Sequence, residues 1–192
     1  MKHNLVLLVA PSSSGKDSIA QLIKERLGYK FIISTTCRPV RPNESEGNPY
    51  HFVTYNEFKE MIARDEFIEH RTYYTKLPNG QDDIWYYGIH KNDIDLDKYN
   101  YVGIVDLDGL KDLKMFYNDN IISFFIDVDE ETRKQRCIQR GDYNEYEWTR
   151  RAADDNDKFA HWLVSEEVDY IVPNYNLQDC VDTIIAMIGR RK

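Results

Sequence analysis

The stretch from Leu5 to Ile19 constrains the fold of this chain more than any other. It begins with the apolar run Leu5–Ala10, passes through the small residues Pro11–Gly15 and one lysine, and continues with apolar residues at helical spacing. A strand that enters such a loop at a helix N-terminus directs several unpaired backbone N–H groups to one place. The helix dipole and Lys16 add positive charge there. The stretch therefore predicts a phosphate-binding loop.

The loop follows the nucleotide-binding pattern G-x-x-x-x-G-K-[ST] incompletely. Gly15 and Lys16 are present, but Ala10 replaces the first glycine and Asp17 replaces the hydroxyl residue. A carboxylate beside bound phosphates repels them unless Mg²⁺ lies between, so we expect Asp17 to be a metal ligand, with Ser18 or water as the alternative. A serine-rich turn with a solvated lysine remains the structural alternative. The residues expected to contact nucleotide phosphates are Pro11, Ser12, Ser13, Ser14, Gly15, Lys16, Asp17 and Ser18.

Composition excludes several classes of function. A chain of 192 residues predicts one domain, or a core with an inserted subdomain. The formal charge of −8 argues against a nucleic-acid or membrane-surface binder, whereas local arginine clusters suit a small anionic ligand. Three scattered cysteines and the lack of a long apolar run predict a soluble cytoplasmic protein with reduced thiols.

Short β-branched or aromatic runs alternate with helical patterns along most of the chain. This alternation predicts an α/β, three-layer sandwich around a mainly parallel five-stranded sheet, with ligands at the carboxyl ends of its strands. The predicted strands are Asn4–Ala10, Phe31–Ser34, Tyr101–Leu107, Ile121–Asp127 and Asp169–Val172. The predicted helices are Gly15–Leu27, Leu110–Tyr117, Glu130–Arg140, Glu147–Leu163 and Leu177–Ile188.

Residues 34–90 interrupt this alternation and predict a small inserted α+β subdomain. Short antiparallel strands are expected at Tyr50–Thr54, Phe67–Tyr74 and Ile84–Tyr87. A helix is expected at Asn56–Arg64 with Asn56 as its N-cap, and Leu77–Gly80 carries a turn signal.

Several ordered motifs resemble the guanylate kinase family, and together they cover nearly the whole chain. In order they are Ser34–Pro42, Gly47–Val53, Glu57-Phe58, Met61-Ile62, Phe67-Ile68-Glu69, Tyr86-Tyr87-Gly88, Asp106-Leu107-Asp108 and Asp169–Asn174. The resemblance implies a P-loop nucleoside monophosphate kinase that uses ATP and Mg²⁺. It also implies a core of residues 1–33 and 91–192, a monophosphate-binding insertion of residues 34–90, and a lid at about residues 137–150.

The resemblance assigns an acceptor site to the insertion. Arg38 and Arg41 are three residues apart in a proline-constrained segment, so both guanidiniums can bind one phosphate. Glu69 can accept from the two N–H donors of a guanine edge, which adenine lacks. The full set expected to bind the monophosphate is Ser34, Arg38, Arg41, Tyr50, Glu69, Tyr87 and Asp108. One departure weakens guanine selectivity, because Ile89 stands where the family usually has a hydroxyl residue after Tyr-Gly.

The remaining expectations concern ATP, the metal and the lid. The resemblance places Arg140 and Arg151 at catalytic lid positions, and Arg136 and Asn174 near ATP, whereas Arg133 is expected to be a solvated helix residue. Asp106 is a second metal candidate, with capping of the following helix as its alternative.

The expected reaction is phosphorylation of GMP or dGMP by ATP, in a protein that is a monomer or homodimer and binds no nucleic acid or membrane. A deoxynucleoside monophosphate kinase of different or broader base specificity and a non-catalytic binding module of the same fold are the alternatives.

Overall fold

The computed structural model describes residues 4–41, 44–76, 81–141, 143–159, 164 and 166–190. The chain divides into two compact units, one of residues 1–31 with 96–192 and one of residues 32–95. The described strands, in chain order, are β1 (Leu5–Val9), β2 (Lys30–Phe31), β3 (Thr35–Thr36), β4 (Ser45–Glu46), β5 (Pro49–Phe52), β6 (Phe67–Lys76), β7 (Asp82–His90), β8 (Tyr101–Ile104), β9 (Ile121–Asp127) and β10 (Tyr170–Pro173). The described helices are α1 (Lys16–Leu27), α2 (Tyr55–Ala63), α3 (Leu107–Tyr117), α4 (Glu130–Arg140), α5 (Glu145–Lys158) and α6 (Leu177–Arg190).

The first unit contains a five-stranded sheet in the order β10-β9-β1-β8-β2, and every neighbouring pair is parallel. This confirms the predicted α/β fold. All five residues of β1 are fully buried, as expected for a central parallel strand covered on both faces. Val6 and Leu8 share a core cluster with Ile19 of α1 and Ile184 of α6. This packing fixes the loop that follows β1 at the carboxyl edge of the sheet.

The second unit is a mixed sheet in the order β4-β5-β3-β7-β6. β7 pairs antiparallel with β3 and β6, whereas β5 pairs parallel with β3 and β4. The antiparallel orientation predicted for Tyr50–Thr54 is therefore wrong, because β5 lies between β3 and β4 and runs parallel to both. Helix α2 covers this sheet with Phe58, which stacks on Phe67 at a centroid distance of 4.4 Å.

Four helix starts differ from the prediction: those of α1 and α5 by one and two residues, and those of α2 and α3 in where the helix is capped. Helix α2 is capped by Thr54, not Asn56: the Thr54 hydroxyl accepts the N–H of Glu57, whose carboxylate accepts the N–H of Thr54. Helix α3 begins at Leu107 rather than Leu110, because the strand predicted over Tyr101–Leu107 ends at Ile104 and Asp106 caps the helix by accepting the N–H of Gly109 at 2.8 Å.

The turn predicted at Leu77–Gly80 lies outside the described residues. Within the described part of the chain, every helix is too short or too polar to span a bilayer.

Candidate active site

The loop between β1 and α1 has the geometry of a phosphate cradle. Ser13 and Gly15 adopt left-handed backbone angles, with φ of 60° and 90°. Gly15 is the N-cap residue of α1, and the first helical hydrogen bond runs from the N–H of Ile19 to the Gly15 carbonyl at 3.1 Å. The N–H groups of the first helical turn have no intrahelical acceptor. Lys16 is half-buried beside them, and Asp17 is exposed.

Two residues distant in the chain hold this loop through hydrogen bonds to the Ser14 carbonyl. Asn174, which follows β10 and is 2% exposed, donates from Nδ2 to the Ser14 carbonyl at 2.7 Å. Arg136 of α4 donates to the same carbonyl at 3.1 Å and also to the Asn174 carbonyl. A Cβ at Gly15 would lie 2.6 Å from Asn174 Nδ2, so the close approach of this amide requires glycine.

A buried ion pair also holds the backbone of the loop, at Ser12. Asp155 of α5 accepts the N–H of Ser12 at 2.9 Å, and Arg133 of α4 donates to the Ser12 carbonyl at 3.3 Å. Arg133 is 3% exposed and lies 3.2 Å from Asp155, with Trp148 at 5.8 Å from its guanidinium carbon. The expectation that Arg133 is solvated is wrong, because its carboxylate partner allows a charge to be buried at this helix position.

In the second unit, Arg38 forms the centre of a buried polar cluster. Arg38 is 4% exposed and makes a two-pronged ion pair with Glu44, at 2.6 and 2.7 Å. The rings of Tyr50 and Phe52 lie 5.1 and 5.6 Å from its guanidinium carbon. The hydrogen bond to Arg38 lowers the pKa of Glu44 from 4.5 to about 2, and the same contact raises the pKa of Arg38. Glu44 thus fixes the Arg38 guanidinium before any ligand arrives.

Two further groups complete this cluster. Arg41 is exposed, and Glu44 accepts its backbone N–H at 2.9 Å. Tyr87 packs edge-on against Tyr50 at 5.6 Å. Burial raises the pKa of the Tyr87 phenol, opposed by its contacts with Arg38, so this hydroxyl remains a hydrogen-bond donor at neutral pH. The cluster carries a net positive charge, which suits a phosphate.

The adjoining part of this sheet carries the base-reading candidates. Glu69 of β6 pairs with Ile89 of β7, and Arg71 pairs with Tyr87 two positions along. These four residues lie on one face of the sheet because directly opposed residues point the same way. The Glu69 side chain is only 9% exposed, and its Oε2 lies 3.6 Å from Nη1 of Arg71.

Comparison with known proteins identifies the family of this chain. A family model described as guanylate kinase matches residues 2–190. The chain belongs to the guanylate kinase family. This confirms the resemblance inferred from the sequence motifs.

Individual members of the family match over most of their length. A guanylate kinase from Thermotoga maritima is 29% identical over 98% of this chain and 87% of its own. A guanylate kinase from Clostridium perfringens is 31% identical over 98% of this chain and 83% of its own. The crystal structure of guanylate kinase from Anaplasma phagocytophilum superimposes with a TM-score of 0.70 at 21% identity, covering 98% of this chain and 86% of that one. The structural match shows the shared fold.

The remaining candidates lie in the first unit, apart from Ser34. Arg140 ends α4 and is exposed; Arg151 is exposed on α5, 3.6 Å from Glu147. Asp108 is exposed in the first turn of α3. Ser34 precedes β3 and is half-buried, and its carbonyl accepts the N–H of His51. Their roles toward nucleotides remain predictions, as does the metal role of Asp106.

Sequence reasoning missed three residues that contact candidate site residues: Glu44 beside Arg38, Arg71 beside Glu69, and Asp155 beside Ser12. Glu44 carried a signal, because a carboxylate three residues after Arg41 in a proline-constrained turn can reach back to a guanidinium. Asp155 carried none, since its partner Ser12 is 143 residues distant.

Proposed function

We propose that this chain transfers the γ-phosphoryl group of ATP to GMP or dGMP. The observation that carries the proposal is a braced β1–α1 loop containing Gly15 and Lys16 in a chain of the guanylate kinase family. The cluster around Arg38 supports it, because a nucleoside monophosphate kinase needs a second phosphate site besides the one for ATP.

In this proposal the loop residues Pro11 to Ser18 bind the phosphates of ATP. Their backbone N–H groups contact phosphate oxygens, and Lys16 neutralises the charge that develops as the phosphoryl group moves. Arg136 and Asn174, which are predicted to contact ATP, both donate to the Ser14 carbonyl of the loop, and Arg136 also donates to the Asn174 carbonyl. They therefore also orient the groups that bind the phosphates.

Arg38, Arg41, Tyr50 and Tyr87 would bind the acceptor phosphate. Glu44 occupies one edge of the Arg38 guanidinium, so the phosphate meets its remaining donors together with the exposed Arg41. Glu69 accepts from N1–H and the amino group of guanine. Ser34 and Asp108 are proposed to contact the base and the nucleoside.

The residues present fit a magnesium ion bound mainly through substrate phosphates. Among the described residues there is no group of three or more His, Cys, Asp or Glu side chains able to hold a metal. Mg²⁺ in phosphoryl-transfer sites uses one or two carboxylates plus phosphates and water, and the exposed Asp17 at the start of α1 can supply one. Asp106 is less suited, since one of its oxygens caps α3. When bound, the ion would neutralise negative charge on the ATP phosphates.

The proposed lid, residues 137–150, brings Arg140 and the adjoining Arg151 to the transferring group. Phosphoryl transfer needs positioning and charge neutralisation, and one well-placed arginine is worth about 10³–10⁵ in rate in related systems. The acceptor phosphate is already ionised at neutral pH, so no general base is required.

A monophosphate panel tests the proposal. Purified protein is assayed with ATP and Mg²⁺ against GMP, dGMP, AMP, dTMP, dCMP and UMP, and GMP or dGMP should give the highest kcat/KM. Higher turnover of dTMP or dCMP would favour a kinase of different or broader base specificity, which the apolar Ile89 makes the second candidate. No turnover together with no calorimetric binding of ATP and Mg²⁺ would indicate a non-catalytic module.

A further inference from the structure

We propose that Arg71 is a specificity-determining residue that reads O6 and N7 of the acceptor guanine, beside the carboxylate of Glu69. This inference rests on the proposed function. It adds a donor for the acceptor atoms of guanine to the carboxylate that accepts from its N–H groups.

The geometry places a guanidinium next to the base-reading carboxylate. Nη1 of Arg71 lies 3.6 Å from Oε2 of Glu69 and donates to the His70 carbonyl at 2.8 Å. Both contacts draw the guanidinium back along β6 toward Glu69. The side chains of Arg71 and Glu69 are 24% and 9% exposed, so the pair is largely shielded from solvent.

The chemistry of guanine matches this order of groups. Along one side of the base, the amino group and N1–H are donors, and O6 and N7 are acceptors. A carboxylate therefore suits the first two atoms, and an arginine suits the second two, the commonest bidentate contact to guanine in nucleic-acid recognition. Adenine presents an acceptor to the carboxylate and an amino group in place of O6, so the carboxylate contact and the O6 contact of the guanidinium would be lost, and only N7 would remain as an acceptor.

The apolar residue Ile89, at the position where the family usually has a hydroxyl residue, explains why such a donor is needed. Ile89 faces Glu69 across the β6–β7 pair, is 2% exposed and has no hydrogen-bonding group. Without a further donor, N7 and one lone pair of O6 would lose their water on binding and remain unsatisfied, which costs affinity. Ser34 can supply one O–H to O6, but a single hydroxyl cannot serve O6 and N7 together.

The test compares base analogues in the wild type and in two variants, Arg71→Met and Arg71→Lys. Methionine keeps length without charge or donors, and lysine keeps the charge without the planar fork. Arg64→Met is the matched control, because Arg64 is an arginine of the same unit that pairs with Glu66 at 2.6 Å on the surface. Each protein is assayed for kcat/KM and calorimetric Kd with GMP, 7-deaza-GMP, 6-thio-GMP and AMP, and its melting temperature is measured.

The wild type should prefer GMP to 7-deaza-GMP, and Arg71→Met should lose about 5- to 150-fold in kcat/KM for GMP. It should also handle GMP and 7-deaza-GMP equally, while AMP is unchanged or improved. Arg71→Lys should lose most of the discrimination, and Arg64→Met should behave as wild type.

Three outcomes would overturn the inference. Equal losses with GMP and AMP would mean that Arg71 serves the acceptor phosphate. Full rescue by lysine would mean that it only balances the charge of Glu69. Unchanged GMP to 7-deaza-GMP ratios in a folded Arg71→Met would mean that it does not touch the base. If the wild type neither binds nor phosphorylates GMP, the proposed function itself fails.

Discussion

Arg133 and Asp155 form a buried ion pair of 3.2 Å, and the same Asp155 oxygen accepts the N–H of Ser12 at 2.9 Å. Their side chains are 4% and 12% exposed. A structural ion pair thus shares an atom with the phosphate-binding loop, and the stability of the unit and the shape of the loop depend on the same carboxylate.

Asp155→Asn should therefore destabilise the protein strongly. The amide can still accept from Ser12, but the Arg133 charge loses its partner, and breaking a buried pair from one side typically costs about 3–5 kcal/mol. Chemical denaturation measures the loss. Asp154→Asn is the control, because Asp154 pairs with Arg150 on the exposed face of the same helix and such pairs contribute about 0–1 kcal/mol. Equal effects of the two variants would contradict the prediction.

Gly15→Ala and Gly28→Ala should differ although both positions flank α1 with positive φ. Alanine in this backbone region costs about 1–2 kcal/mol at either site. At Gly28 nothing lies within 4 Å of a new Cβ, whereas at Gly15 the Asn174 amide lies 2.6 Å away. We expect a larger loss of unfolding free energy for Gly15→Ala, partly restored by adding Asn174→Ala. Similar losses for both single variants would mean that the close approach does not matter.

Lys16→Met should lower kcat by about 10²–10³-fold or more, because it removes a positive charge aimed at the transferring phosphoryl group. The fold should be preserved, as judged by circular dichroism and the melting temperature. Lys24→Met, on the exposed side of the same helix, should retain wild-type kcat. A Lys16→Met enzyme with wild-type turnover would refute the phosphate-binding assignment of the loop.

Thr54→Ala should destabilise the second unit, and Asn56→Ala should not. Thr54 accepts the N–H of Glu57 and completes a reciprocal capping box, which is worth about 0.5–2 kcal/mol. Asn56 lies inside α2 and is exposed, so its replacement by a better helix former is expected to be neutral or slightly stabilising. Denaturant midpoints of the two variants decide between them, and the reverse order would restore Asn56 as the cap.

The Arg38–Glu44 pair should make the stability of the protein depend on pH in acid. The pKa of Glu44 is lowered from 4.5 to about 2 by Arg38, so its folded form binds its proton less readily than the unfolded chain does. The contribution is fully present above pH 4.5 and is lost as the pH falls toward 2. Unfolding free energies of wild type and Glu44→Gln should converge over this interval. A constant difference between them would show that the carboxylate charge is not involved.

The features that could be predicted from the sequence are those with local signals. The apolar run of β1, the loop and the periodic face of α1 are contiguous between Leu5 and Leu27, and repetition of that pattern predicts the five-stranded parallel sheet. The capping box Thr54-x-x-Glu57 is also a local signal, and its reciprocal glutamate distinguishes Thr54 from Asn56 as the cap.

The features that could not be predicted depend on partners distant in the chain. Burial of Arg133 depends on Asp155, which lies on another helix. The parallel pairing of β5 depends on the path that the chain takes from β3 to β5. Neither leaves a periodic pattern in the residues concerned.

The two hydrogen bonds that Asn174 and Arg136 donate to the Ser14 carbonyl, here called the Ser14 strap, determine which backbone group faces an arriving anion. A peptide unit is rigid and planar, and its C=O and N–H point in opposite directions. Because Asn174 and Arg136 both hold the oxygen of the Ser14–Gly15 unit, its hydrogen is turned the other way. Should the strap be released, a rotation of this one plane would present a lone pair where a proton had been, and the loop would repel the phosphate it is shaped to receive.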